Sequence, residues 1–136
     1  MAAMDTPHMS RPEPLRIVIV DSDDLVRESL TGLLGIGPRV QVVGAAGETG
    51  HALRLIGAIQ PDVVVVDPRL PELASGLDFI GQARRLAPGA AILVIGSADI
   101  VEQAAARDGI DGCVRKTFRP DDLTAAILAA GRRAAG

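Results

Sequence analysis

Three runs of aliphatic and β-branched residues constrain this chain most: LRIVIV at 15–20, DVVVVD at 62–67 and AILVIG at 91–96. A strand with one wet face alternates apolar and polar residues, so runs this continuous belong to strands covered on both faces. A parallel sheet between two layers of helices provides that cover. Two weaker runs, VQVVG at 40–44 and DGCVR at 111–115, bring the expected strands to five. Between the runs, apolar residues recur at helical spacing. The five stripes are Leu25, Val26, Ser29, Leu30, Leu33 and Leu34; Ala52, Leu53, Leu55, Ile56 and Ile59; Leu77, Ile80, Ala83 and Leu86; Ile100, Val101, Ala104 and Ala105; and Leu123, Ala126, Ile127 and Ala130. Asp23 and Asp24 stand before the first stripe, and Pro120, Asp121 and Asp122 open the last, as helix starts require. The expected fold class is α/β, a doubly wound five-stranded parallel sheet with five helices.

At 136 residues the chain suits one domain. Residues 1–14, MAAMDTPHMSRPEP, show no apolar period and read as a tail, 15–131 as the folded domain, and 132–136 as a C-terminal tail. With aromatics at 1% and hydrophobic residues at 48%, the core must be aliphatic. The formal net charge of -3 gives no basic surplus for a nucleic-acid ligand. A single cysteine, Cys113, excludes an internal disulfide and fits a reducing, cytoplasmic compartment. No apolar run approaches the roughly 20 residues of a membrane span.

Open parallel sheets bind ligands beyond the carboxyl ends of their strands. Here those ends carry Asp21, Ser22 and Asp23 after the first run, Asp67 after the third, Gly96 and Ser97 after the fourth, and Arg115 and Lys116 after the fifth. Lys116 is the only lysine among 14 basic residues, all the others being arginine. An ammonium is a compact point charge that can sit beside a carboxylate or a phosphoryl oxygen without needing a fork-shaped partner.

IVIVDSDDLVRESL, DVVVVDPRLP and GIDGCVRKTFRPDDL, in that order, resemble the receiver domain of bacterial two-component response regulators, in the branch whose receivers usually precede a helix-turn-helix. The resemblance covers about residues 15 to 131 and implies the flavodoxin-like receiver fold. It implies that Asp67 is the phosphoacceptor for a phosphohistidine of a sensor histidine kinase, and that Lys116 pairs with the phosphoryl oxygens. Asp21 and Asp67, with the backbone carbonyl of Arg69, would hold Mg2+, and Pro71 would be the proline of the following loop. Such a domain is regulatory rather than an enzyme. Hard oxygen donors and retained waters are what Mg2+ prefers, and phosphoryl transfer is mostly positioning and charge neutralisation.

Several positions depart from the family pattern. Ser22 stands where a second acidic residue is expected, which weakens the Mg2+ site; Asp23 either substitutes from the next position or caps the first helix. Gly96 stands where the family has a Thr or Ser whose hydroxyl follows the phosphoryl group. Ser97 is one residue on and by strand alternation points elsewhere, leaving its amide to serve. Cys113 occupies the place of an aromatic switch, PELASG is one residue longer than usual, and Pro68 directly follows the phosphoacceptor. These changes leave open a pseudo-receiver that acts by constitutive contacts. After the last stripe the chain ends GRRAAG, so output is expected through a downstream protein or homodimer on the fourth and fifth helices, or on the first and fifth, with no nucleic acid and no membrane. Two enzyme readings are weaker. GAAGETG is similar to a dinucleotide-binding turn but follows the second strand, and Asp67 as a hydrolase nucleophile would want an aspartate where Arg69 stands.

Overall fold

The computed structural model describes residues 13–116 and 119–135, so residues 1–12 of the expected tail lie outside the described residues. The strands are β1 (Leu15–Val20), β2 (Val40–Ala46), β3 (Val63–Val66), β4 (Ala91–Gly96) and β5 (Gly112–Arg115). The helices are α1 (Asp24–Leu34), α2 (Thr49–Ile59), α3 (Leu73–Leu86), α4 (Ala98–Ala105) and α5 (Pro120–Ala135). The strands form one parallel sheet in the order β2-β1-β3-β4-β5. That order reverses direction between β1 and β3, and the crevice at such a reversal is where doubly wound sheets bind their ligands.

Strand alternation divides the core into two layers. Ile17, Ile19, Val63, Val65, Leu93 and Ile95 pack against Leu30 and Leu34 of α1 and Leu123, Ile127 and Ala130 of α5. Val18, Val20, Val64, Val66, Ile92 and Val94 face the other way, against Ala52 and Ile56 of α2, Phe79, Ile80 and Ala83 of α3, and Ile100 and Ala104 of α4. The central strands are thus buried on both faces, which is why their sequences do not alternate.

Several expectations shift at the element ends. β2 runs two residues past the expected end, to Ala46, because it keeps pairing with β1 beyond an irregularity at Ile17/Val18. Two leucines of the expected stripes are not core: Leu25 is 75% exposed and Leu86 is 45% exposed. Leu25 lies in the first turn of a helix that starts at the sheet's edge rather than over it. In α3 the buried face is Gly76, Phe79, Ile80 and Ala83, whose helical spacing leaves Leu86 on the flank. The helix itself begins at Leu73, so the second half of PELASG is its first turn rather than loop. α5 continues through Ala135, past the domain end expected at 131.

At the edge of the sheet opposite the strand ends, two aspartates serve as splices. Asp62 accepts from the Arg16 amide at 2.8 Å, tying β1 to β3. Asp111 accepts from the Ile92 amide at 2.8 Å and pairs with Arg84 of α3 at 2.6 Å. The same guanidinium reaches the carbonyls of Ala90 and Gly109.

One glycine is fixed by a close approach. A Cβ at position 76 would lie 1.5 Å from the Pro68 carbonyl oxygen, so the loop leaving β3 can lie on α3 only where α3 has no side chain. The loop is further pinned by buried Leu70, whose carbonyl accepts from Ser75 Oγ at 2.7 Å. Gly76→Ala is therefore expected to destabilise the protein by about 3 kcal/mol through backbone overlap, although helix propensity alone favours alanine by about 1 kcal/mol. Urea denaturation of the two proteins decides the sign, and an unchanged or raised midpoint would contradict the close approach.

Candidate functional site

The carboxyl ends of β1, β3 and β5 bring together three residues far apart in sequence. In each case a backbone hydrogen bond to the neighbouring strand continues just past the strand's last residue. The Asp21 amide donates to Ala46 O at 3.1 Å, the Asp67 amide to Val20 O at 3.0 Å, and the Lys116 amide to Gly96 O at 2.8 Å. The sheet's own hydrogen bonding therefore sets where these side chains start.

Asp21 is 1% exposed and Asp67 8% exposed, so two carboxylates are buried side by side. Lys116 Nζ lies 2.8 Å from Asp21 Oδ2 and 2.6 Å from Asp67 Oδ2. Burial works against the lysine's charge, but the two carboxylates outweigh it and hold its pKa above the ordinary value near 10.5. The remaining carboxylate oxygens are oriented by the main chain. Asp21 Oδ1 accepts from the Asp23 amide at 2.9 Å, and Asp67 Oδ1 accepts from the Arg69 amide at 3.0 Å. Asp21 Oδ2 is buried with no aligned hydrogen-bond donor and meets the ammonium as an ion-pair contact.

Asp23 makes the contacts that the capping reading expects. Its Oδ1 accepts from the Leu25 and Val26 amides at 2.9 and 3.1 Å, which caps α1. Ser22 is exposed, and its hydroxyl donates at 3.3 Å to the carbonyl of Arg69, the same oxygen that the resemblance offers as a metal ligand. Ser97 caps α4, its Oγ accepting from the Ile100 amide at 3.5 Å, so the hydroxyl faces the helix. Gly96 contributes a carbonyl, which pins Lys116, in place of a side chain. A Cβ there would stand 2.8 Å from Ile100 Cγ2, so Ile100 fills the space that a larger residue at 96 would need. Cys113 is half-buried beside the α2–α4 layer, where burial pushes its thiol pKa up. The Leu70–Pro71 peptide bond is cis.

Chemically, this pocket offers only oxygen donors to a cation: the Asp21 and Asp67 carboxylates, the Arg69 carbonyl and the Ser22 hydroxyl. Among the described residues no group of three His, Cys, Asp or Glu side chains is placed to hold a metal ion. The donors fit Mg2+, which takes one or two carboxylates and keeps its waters, better than a softer metal that needs nitrogen or sulfur.

The fold is a doubly wound, flavodoxin-like sheet that gathers two buried aspartates and one lysine at the carboxyl ends of its strands. Residues 17–128 match the response regulator receiver domain, and the chain belongs to that family of regulatory domains of two-component signalling. The nitrate/nitrite response regulator NarL of Escherichia coli K12 is 27% identical over 121 residues, which is 88% of this chain and 56% of NarL. The DNA-binding transcriptional activator DevR/DosR of Mycobacterium tuberculosis is 32% identical over 122 residues, 87% of this chain and 56% of that protein. Among solved structures, a LuxR-family two-component response regulator from Aurantimonas matches with a TM-score of 0.74 and 33% identity, over 89% of this chain and 87% of that one. The chain spans about half the length of these two curated relatives. Among the described residues, no helix is long and apolar enough to cross a membrane.

The site residues that sequence reasoning missed are Arg27, which touches Asp21, and Ile100 in its role against Gly96. Ile100 sits in a helical stripe and Arg27 between the residues of one, and neither carries a motif of its own.

Because its pKa is raised on folding, Lys116 contributes stability that is fully present below about pH 10.4 and lost as pH rises through the higher folded value. The chain has no tyrosine, and the raised thiol of Cys113 responds in the same direction. Lys116→Met removes only the lysine's share. Thermal melts from pH 9 to 12 are expected to fall less steeply for that variant, and parallel curves would contradict the ion-pair geometry.

Proposed function

We propose that this receiver domain accepts a phosphoryl group on Asp67 from a phosphohistidine of a sensor histidine kinase, and works in the cytoplasm. The observation that carries the reading is one ammonium within 2.8 and 2.6 Å of two buried carboxylates. The Arg69 amide already holds Asp67 Oδ1, which leaves Oδ2 as the oxygen that attacks. In the transfer the phosphorus–nitrogen bond of the phosphohistidine breaks, its electron pair returns to the imidazole, and a phosphorus–oxygen bond forms on Asp67. Lys116, freed from the Oδ2 that becomes esterified, neutralises the phosphoryl oxygens.

Asp21, Asp67 and the Arg69 carbonyl would hold Mg2+, with Ser22 as a neutral neighbour. Bound there, Mg2+ supplies charge neutralisation for the transferred group. Ser22 brings no negative charge and competes for the Arg69 carbonyl, so the affinity is low. The acyl phosphate adds roughly -1.5 to -2 charges at the carboxyl end of β3, against Lys116 at the end of β5. We place the output on the surface of α4, β5 and α5, received by a downstream protein or a second copy of the chain. With Gly96 filled by Ile100, that output runs through the Lys116 and Gly96 main chain rather than through a moving hydroxyl.

Intact-mass spectrometry after incubation with an acyl-phosphate donor and Mg2+ tests this reading. The native chain is expected to gain one phosphoryl group and Asp67→Asn none, and Ser22→Asp is expected to reach the same occupancy at lower Mg2+. An unmodified native chain at saturating Mg2+, alongside an unmodified Ser22→Asp, would overturn phosphorylation of Asp67.

A further inference from the structure

We propose that Arg27 is a positioning residue for Asp21 and that Gly47 is the opening through which it acts, an inference that rests functionally on reading Asp21 as a pocket ligand. Arg27 lies in the first turn of α1, and its Nη1 donates to the main-chain carbonyl of Asp21 at 2.7 Å. Its Nη2 pairs with Asp24 Oδ1 at 2.6 Å. The Arg27 side chain is 22% exposed and Asp24 81% exposed, so the aspartate is the weaker, solvated anchor and the carbonyl bond the better shielded one.

The guanidinium reaches that carbonyl over the residue that follows β2. A Cβ at position 47 would stand 2.6 Å from Arg27 Nη1 and 3.6 Å from the Asp21 carbonyl oxygen. A side chain at 47 would therefore push the far end of the Arg27 side chain off this contact without moving the backbone. Arg27 thereby links three segments: the loop after β1, the first turn of α1 and the end of β2.

Asp21 is held at four atoms in consequence. Its amide bonds Ala46 O, its Oδ1 takes the Asp23 amide, its Oδ2 meets Lys116, and its carbonyl takes Arg27. The carbonyl bond fixes the peptide plane between Asp21 and Ser22, and that plane sets both the Asp23 amide aimed at Oδ1 and the Ser22 hydroxyl aimed at Arg69. Lysine cannot reproduce this, because one ammonium replaces a planar fork that reaches two acceptors at once.

The test uses the 15N-labelled full chain with Arg27→Met, Arg27→Lys and Gly47→Ala, without and with Mg2+. Lys116 is the only lysine, so its 15Nζ signal is unambiguous and reports the Asp21 contact directly. Without metal, Arg27→Met and Gly47→Ala are expected to shift both the Asp23 amide and the Lys116 Nζ signals, with α3 amides unmoved, and Arg27→Lys to fall between. With metal, the Mg2+ dissociation constant is expected to rise about tenfold, as for other loosened ligand-orienting contacts. Should Arg27→Met not fold, the other two variants carry the same readout. Native-position Asp23 and Lys116 signals in all folded variants would overturn the positioning role, even if the melting temperature falls. If those signals move while the native chain binds no Mg2+, the positioning stands and the metal reading of the pocket falls.

Discussion

An ammonium shared by two buried carboxylates is the contact around which the rest of this domain is arranged. Two carboxylates taken out of water at neighbouring strand ends repel each other and lose their hydration, and neither loss is recovered without a cation between them. Lys116 supplies it from the end of β5, three strands along the sheet from β1, whose end carries Asp21. The parallel sheet makes the meeting possible, because it brings the carboxyl ends of β1, β3 and β5 to one edge, and the main-chain amides of all three residues bond to neighbouring strands. The aliphatic layers pack both faces of the sheet behind that edge, and the splices at Asp62 and Asp111 secure the opposite one.

The departures from the family pattern form a consistent set once their contacts are known. Asp23 caps α1, and the turn after β1 has one buried carboxylate, Asp21, where the family pattern leads one to expect an acidic pair. Ser22 turns to the Arg69 carbonyl and ties the first loop to the third. Ile100 occupies the space over Gly96, which joins α4 to β4 by packing instead of by a hydroxyl that can change partners. Each change leaves the Asp21–Lys116–Asp67 contact in place and alters what surrounds it.

The sheet, its five helices and the two core layers were legible because buried parallel strands must be apolar along their whole length, as IVIV, VVVV and ILVI are. The three central site residues were legible from their places at strand ends. What sequence left open was decided by contacts without a pattern. Asp23 as cap or ligand depends on which way one carboxylate turns. Leu25 and Leu86 match a helical stripe and yet lie where no element covers them. Arg27 looks like any arginine on a helix until the fold brings its guanidinium 2.6 Å from where a Cβ on residue 47 would stand. In GAAGETG it is the missing side chain of Gly47 that leaves room for the Arg27 guanidinium.

The most direct measurement is the 19F spectrum of the protein mixed with Mg2+ and beryllofluoride, which mimics a phosphoryl group by binding a carboxylate oxygen. The account predicts a bound signal for the native chain that is lost in Asp67→Asn, together with a shift of the Lys116 15Nζ signal as the ammonium turns to the fluorines. A spectrum with free beryllofluoride alone at saturating Mg2+, or a bound signal that survives Asp67→Asn, would contradict it.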